Sequence, residues 1–187
     1  MATAPTALVS VDEYINTSYH PDVEFVDGVL VEKGMPTVFH QLLSAILLVW
    51  FRNYEKEFRI KALADVRTQI TERARYRLPD VMVYTTPAPI TRIMTRVADV
   101  VIEILSPDDK QSEILARFRD YEVLGVSHLV HLDPENFIAW RYREGSLIKT
   151  DFSTLSLPGR PDLPFDSIAI FEQMKREIAE IEGDLND

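Results

Sequence analysis

Residues 78–84 read LPDVMVY and residues 99–106 read DVVIEILS, and both segments are predicted to form strands. Both are short apolar runs rich in β-branched residues, which is typical of buried strands. Each run also contains one carboxylate, Asp80 in the first and Glu103 in the second. A buried carboxylate costs several kcal/mol unless it is paired, hydrogen-bonded or bound to a cation. We therefore predict that Asp80 and Glu103 lie side by side on adjacent strands and share a divalent metal ion.

The metal is expected to be Mg²⁺ or Mn²⁺, because hard divalent cations prefer carboxylate and carbonyl oxygens. The main-chain carbonyl of Ile104 is a candidate third ligand. Such an ion could neutralise charge on a phosphodiester during hydrolysis. The spacing alone also allows another interpretation, in which Asp80 ends a turn and Glu103 pairs with an arginine.

The segments before these strands predict a short helix, a hairpin and a long helix. Ser10 begins a capping box for a helix through Ile15, and Asp27-Gly28 is a strong turn signal within a hairpin over residues 24–32. Apolar periodicity predicts a helix over residues 38–56. Residues 58–70 read as one or two strands, followed by a basic turn at 71–77.

The segments after Glu103 predict a helix, a strand, a second hairpin and a terminal helix. Ser106 is expected to cap a helix that runs to Leu124 and ends at Gly125. The remaining predictions are a strand at 126–132, a hairpin pairing 137–142 with 147–152, a proline-rich loop at 156–164 and a helix at 165–182. The predicted fold is α/β, with a central mixed sheet flanked by helices, N-terminal and C-terminal hairpins, and a single domain over 1–187 whose residues 183–187 form a disordered tail.

Composition excludes several classes of protein. The chain has 187 residues and no cysteine, which excludes disulfide frameworks and thiolate chemistry. No apolar run reaches membrane-spanning length and residues 1–5 lack signal-peptide features, so a cytoplasmic protein without membrane partners is expected. A net charge of -10 argues against broad electrostatic binding of nucleic acid, but a local basic groove is compatible with it. Arginines that could line such a groove, or simply be solvated, are Arg67, Arg73, Arg75, Arg77, Arg92 and Arg96.

A set of short motifs resembles one bacterial family. The matching pieces are residues 24–28 (EFVDG), His40, residues 79–81 (PDV), residues 101–107 (VIEILSP), Tyr121 with Gly125-Val126, and residues 132–134 (LDP). In this order they resemble a restriction-endonuclease family, long known as a domain of unknown function, within the PD-(D/E)XK nuclease superfamily. The resemblance implies a restriction-endonuclease-like core and a Mg²⁺-dependent phosphodiesterase site. It assigns Asp80 and Glu103 as metal carboxylates and Glu24 as a further acidic residue that acts through water.

The sequence departs from the superfamily pattern at its lysine. Leu105 occupies that position, and the helix position at which the family is thought to place a substitute lysine is Arg117. Arginine stays protonated, so it cannot act as a base but can stabilise negative charge. Lys110, two turns earlier, is a second candidate. Alternatively, Arg117 is a surface residue that pairs with Glu113.

Three functions are compatible with these residues. The first is a metal-dependent endonuclease that acts on nucleic acid, expected to be DNA; the second is a catalytically weak or silent nuclease-fold binding protein. The third, acid–base chemistry by Glu103 with His40, has little support, and a histidine at the start of a helix is more often structural. Ser106 lacks the glycine-flanked turn of a nucleophilic serine. A homodimer would suit the cutting of both strands of a duplex.

Overall fold

The computed structural model describes residues 8–70, 74–88 and 90–183. The helices are α1 (Val11–Asn16), α2 (Val38–Arg52), α3 (Glu55–Phe58), α4 (Gln111–Leu124) and α5 (Ser167–Gly183). The strands are β1 (Val23–Val26), β2 (Val29–Glu32), β3 (Ile60–Leu63), β4 (Thr68–Ile70), β5 (Arg75–Arg77), β6 (Val81–Thr85), β7 (Val100–Ile104), β8 (His128–Asp133), β9 (Ile138–Arg143), β10 (Ser146–Lys149), β11 (Thr154–Leu155) and β12 (Leu163–Pro164).

The central sheet has six strands in the order β10-β9-β8-β7-β6-β3. Strands β7 and β8 are parallel and are connected through α4, whereas the other neighbours are antiparallel. A second sheet has the order β2-β1-β5-β4, and β11 pairs with β12. The mixed central sheet predicted from the sequence is thus observed, and β7 lies within it as expected.

Side chains of β7 alternate between two apolar clusters because successive residues of a strand point to opposite faces. Val100, Ile102 and Ile104 pack in one cluster with residues of α2 and α5. Val101 packs in the other with residues of α4. The alternation places Glu103 on the same face as Val101, where it meets α4.

Both predicted hairpins are present. Asp27 and Gly28 have φ values of 52° and 90°, and Glu144 and Gly145 have φ values of 49° and 82°. Positive φ at both central residues is the geometry that two-residue hairpins require. These turns fix the registers of β1 with β2 and of β9 with β10.

Several predicted boundaries are wrong. The helix α4 begins at Gln111 with Lys110 as its N-cap, so Ser106 does not cap it. Instead, Ser106 and Asp109 form a local turn in which the Ser106 N–H donates to Asp109 Oδ2 at 2.9 Å. The long N-terminal helix is divided into α2 and α3, and the predicted loop at 156–164 contains β12. The terminal helix begins at Ser167 rather than residue 165.

No helix in the described parts of the chain is long and apolar enough to cross a membrane. Part of the predicted basic turn forms strand β5. Residues 71–73, which include Arg73, and most of the predicted tail, residues 184–187, lie outside the described residues.

Candidate active site

Asp80 and Glu103 meet at the end of the β6–β7 pair. In that antiparallel register Val81 is opposite Ile102, so Asp80, one residue before β6, comes opposite Glu103. The Ile104 N–H donates to Asp80 Oδ2 at 2.7 Å, which fixes the carboxylate against β7. Asp80 is 2% exposed and Glu103 is 1% exposed. The structure therefore brings together two nearly inaccessible carboxylates from adjacent strands.

The second oxygen of Asp80 faces two basic side chains. Lys33 Nζ lies 2.5 Å from Asp80 Oδ1, and His40 Nε2 lies 3.3 Å from the same oxygen. Both contacts are close, but neither has the angles of a hydrogen bond. Burial alone would raise the pKa of Asp80, but the charge of Lys33 and the contact with His40 outweigh burial and hold that pKa well below its ordinary value. Asp80 is therefore an anion.

Lys33, which sequence reasoning missed, is held by three oxygens. Besides Asp80, its Nζ donates to Leu78 O at 2.7 Å and to Asp65 Oδ1 at 3.1 Å. Burial would lower the pKa of Lys33, but the charges of Asp80, Glu103 and Asp65 raise it above its ordinary value. Lys33 directly follows a hairpin, where a lysine is usually solvated, so no local signal marks it. The contact exists only because the hairpin folds over the loop before β6.

Glu103 is held by two residues of α4. Arg117 Nη1 donates to Glu103 Oε2 at 3.0 Å, and the Tyr121 hydroxyl donates to Oε1 at 2.8 Å. Arg117 and Tyr121 are four residues apart, so they lie on the same face of the helix. Burial and the charge of Asp80, partly offset by Arg117 and Lys33, raise the pKa of Glu103 to about 7.

Arg117 belongs to the site and is not a surface residue. Its Nη2 donates to Asp109 Oδ1 at 2.5 Å, and its side chain is 10% exposed. The alternative pairing of Arg117 with Glu113 is therefore wrong, because Glu113 pairs with Lys110. Leu105, at the usual lysine position, packs against the apolar cluster that includes α4.

Glu24 has a structural contact that the sequence did not reveal. Its Oε2 accepts from Arg77 Nη1 at 2.6 Å and its Oε1 accepts from the Leu78 N–H at 3.1 Å. Arg77 also binds Asp120 Oδ2 through Nε at 2.8 Å and through Nη2 at 2.6 Å. Glu24 thus anchors the backbone two residues before Asp80 and does not line the cleft.

A cleft of about 180 Å³ opens beside Asp80. Glu103 is not among the residues that line this cleft. The lining residues are Pro21, Asp22, Lys33, Gly34, Met35, Pro36, His40, Gln41, Asp65, Asp80, Ile104, Ser106, Asp109 and Arg117. The cations that reach the cleft among the described residues are Lys33 and Arg117, with His40 as a third basic group.

The other predicted basic residues lie elsewhere. Lys110 is exposed, pairs with Glu113 at 3.0 Å and does not line the cleft. Arg75 pairs with Asp27 and Asp120, and Arg67 donates to the main-chain oxygens of Tyr14 and Thr17. Arg67, Arg75 and Arg77 therefore join parts of the fold, and none of these three lines the cleft.

The comparison with protein families identifies the family of this chain. A family model named Uma2 and described as "Putative restriction endonuclease" matches residues 11–167. The chain belongs to the Uma2 family. This match confirms the resemblance drawn from the sequence.

A solved structure supports the fold of this Uma2 chain. The crystal structure of a "putative nuclease belonging to DUF820" from Anabaena variabilis ATCC 29413 superposes with a TM-score of 0.73. The two sequences are 20% identical, and the match covers 89% of this chain and 99% of that chain. The likeness confirms the predicted fold class. A comparison with curated proteins finds no match.

The donor chemistry of the Uma2 site fits a hard divalent cation. Asp80 Oδ1 is buried without a hydrogen-bond partner among the described residues, and Asp80 and Ile104 line one cleft. No group of three or more histidine or acidic side chains in the described ranges is arranged to hold a metal. Oxygen donors that could hold such an ion in the cleft are those of Asp80 and the Ile104 carbonyl, completed by water, and Glu103 is the neighbouring carboxylate.

Glu103 should make the metal-free protein less stable as the pH rises toward neutrality. Its pKa is about 7 in the folded chain against an ordinary 4.5, so between these values the folded state retains a proton that the unfolded state has lost. The free energy of unfolding therefore falls across this range, by on the order of 1–3 kcal/mol for this group. Glu103→Gln should remove this contribution, so its stability relative to wild type should rise between pH 5 and pH 8. Urea denaturation in the presence of a chelator measures the difference.

The matched control for this pH prediction is Glu113→Gln. Glu113 lies in the first turn of α4, and its side chain is 50% exposed. Because Glu113 is half exposed, the difference in free energy of unfolding between Glu113→Gln and wild type should change less with pH than the difference for Glu103→Gln. If the free energy of unfolding of Glu103→Gln relative to wild type does not change between pH 5 and pH 8, the raised pKa of Glu103 is contradicted.

Proposed function

We propose that this Uma2 chain is a metal-dependent endonuclease that hydrolyses phosphodiester bonds of DNA with Mg²⁺ or Mn²⁺. The observation that supports the proposal most directly is the pair of buried carboxylates, Asp80 and Glu103, on adjacent strands. Burying two acids side by side costs free energy even when each has a partner, so their presence on adjacent buried strands favours a functional role. The family description "Putative restriction endonuclease" agrees with this chemistry.

Asp80, Glu103 and the Ile104 carbonyl would hold the cation. When bound, it would supply Lewis-acid stabilisation of the negative charge that develops on the phosphoryl oxygens. The Ile104 N–H orients Asp80, and Tyr121 orients Glu103. These fixed hydrogen bonds keep the carboxylates in place without rearrangement during the reaction.

Arg117 is proposed to supply a permanent positive charge beside Glu103. It reaches the cleft, is anchored at both ends by Glu103 and Asp109, and its pKa is raised because the charges of these acids outweigh its burial. Arg117 can therefore stabilise negative charge on a phosphate but cannot remove a proton. His40 also lines the cleft, where its Nε2 lies 3.3 Å from Asp80 Oδ1, so His40 is proposed to position that carboxylate.

Cleavage of supercoiled plasmid tests the proposal. Purified protein should convert the plasmid to nicked and linear forms with Mn²⁺ or Mg²⁺, because the site fits such ions, and a chelator should stop the reaction. Parallel reactions with single-stranded DNA and with RNA define the substrate. Absence of cleavage of all three nucleic acids with either ion would overturn the proposed activity.

A second candidate function is a catalytically silent nuclease-fold binding protein. It is favoured by Arg117 at the position of the substitute lysine and by Glu103, both of whose oxygens already accept hydrogen bonds. In that case a gel-shift assay should show nucleic-acid binding that is unchanged in Asp80→Ala, without cleavage by either protein. Light scattering of the same samples would test the proposed homodimer.

A further inference from the structure

The ammonium group of Lys33 lies among oxygens of the kind that bind metal ions. Its Nζ is 2.5 Å from Asp80 Oδ1, 2.7 Å from Leu78 O and 3.1 Å from Asp65 Oδ1. Two carboxylates and one carbonyl are also the donor types that a hard divalent cation prefers. The Lys33 ammonium group therefore occupies a position in which the same oxygens could bind a metal ion.

The Lys33 ammonium group and a metal ion at the proposed site would both contact the same atom, Asp80 Oδ1. Asp80 Oδ2 already accepts from the Ile104 N–H, so Oδ1 is the oxygen that Asp80 can offer to a metal. Lys33 Nζ contacts that same oxygen. Two cations so close together in a buried site would repel each other strongly. Lys33 and a divalent ion therefore cannot both occupy Asp80 Oδ1.

The backbone of Lys33 is held while its side chain can move. The Lys33 N–H donates to Asp22 O at 3.2 Å, which ties the end of the hairpin to the cleft. The side chain is 16% exposed and has a flexible four-carbon stem. Asp65, whose side chain is 54% exposed, provides a second partner toward solvent. The ammonium group can thus leave Asp80 and remain paired with Asp65.

We propose that Lys33 is an internal counter-cation that a divalent metal ion must displace from Asp80 Oδ1. This inference rests on the proposed metal site at Asp80 and Glu103. Lys33 neutralises Asp80 when no metal is bound, which keeps the empty site from carrying an unpaired buried charge. The same contact weakens metal binding, because each ion that enters must replace the Lys33 contact.

Calorimetric titration with MnCl₂ tests the competition. Lys33→Met should bind Mn²⁺ about tenfold more tightly than wild type or better, since the competing charge is gone and the stem is retained. The matched control is Lys61→Met, which removes a lysine whose side chain is 52% exposed and pairs with Glu55. Its Mn²⁺ affinity should equal that of wild type. The double variant Lys33→Met with Asp80→Asn should lose the gain, because the shared oxygen ligand is replaced.

A crystal of the wild-type protein soaked in Mn²⁺ provides a second test that needs no variant to fold. The anomalous signal should place Mn²⁺ at Asp80 with Lys33 Nζ moved beyond hydrogen-bonding distance of Oδ1. Mn²⁺ at Asp80 with the Lys33 contact intact would overturn the inference.

The outcomes separate this inference from the proposed function. Equal Mn²⁺ affinity of wild type and Lys33→Met would overturn the competition and leave a metal-dependent nuclease in place. Binding by Lys33→Met alone would support the competition but argue against metal-dependent catalysis by the wild-type chain. Absence of binding by both proteins would overturn both proposals.

Discussion

Asp80→Asn is expected to lower the initial rate of Mn²⁺-dependent plasmid cleavage about a thousandfold, a magnitude typical for the loss of one main electrostatic group of an active site. The substitution keeps the shape of the side chain but removes the charge that would hold the metal ion. Asparagine can still accept from the Ile104 N–H, so the position of the side chain should be retained. Rates measured at equal protein concentration with Mn²⁺ check the result.

The control for Asp80→Asn is Asp108→Asn, the same chemical change at an exposed residue in the segment that precedes α4. Its cleavage rate should remain within about twofold of wild type, because changes at exposed residues outside the site have small effects. Circular dichroism and thermal unfolding verify that both variants are folded. Folded Asp80→Asn with wild-type cleavage would mean that the metal site lies elsewhere or that the activity belongs to a contaminant.

Arg77→Met is expected to lower the free energy of unfolding by about 3–5 kcal/mol, the range typical when one partner of a buried ion pair is removed. Arg77 is 5% exposed and lies between Glu24, which is 3% exposed, and Asp120, which is 0% exposed. Methionine fills much of the space but leaves Glu24 without its only ion pair among the described residues, and it weakens the pairing of Asp120. Urea denaturation followed by circular dichroism measures the loss.

Two further variants define the cause of this loss. Arg143→Met removes an arginine whose side chain is 72% exposed and whose ion pair in the described structure is with Glu144, which is 82% exposed, so the free energy of unfolding should change by less than about 0.5 kcal/mol. The triple variant Glu24→Gln, Arg77→Met and Asp120→Asn removes the buried charges together and should recover about half of the loss. A loss no larger for Arg77→Met than for Arg143→Met would contradict the structural role of Arg77.

Local sequence patterns were sufficient for much of the fold. The turns at Asp27-Gly28 and Glu144-Gly145 need positive φ, and this requirement predicted both hairpins correctly. The apolar run at β7 identified a strand that is covered on both faces. The start of α4 was wrong because Ser106 and Asp109 satisfy each other in a separate turn. A capping motif in the sequence does not show whether the helix begins immediately after it.

Less of the candidate site than of the fold could be predicted from the sequence, because the contacts of the site join segments that are distant along the chain. An acid in an apolar strand is itself unusual, and this property singled out Asp80 and Glu103 without any structure. Lys33 has no such mark, since a lysine after a hairpin looks solvated, and His40 resembled an ordinary first-turn residue. Their contacts with Asp80 depend on how the β1–β2 hairpin and α2 pack around the loop before β6.

The site has two parts, and only one of them comes from the parallel β7–α4–β8 unit. Glu103, Arg117 and Tyr121 all come from this continuous unit, so their mutual contacts form whenever α4 packs on β7. Lys33 directly follows β2 of the separate four-stranded sheet, so it reaches the site through the packing of that hairpin. Subglobal opening of that hairpin would uncover Asp80 while the Glu103 half stays assembled. Access to the cation position is thus coupled to the local stability of a hairpin that contributes neither carboxylate of the proposed metal site.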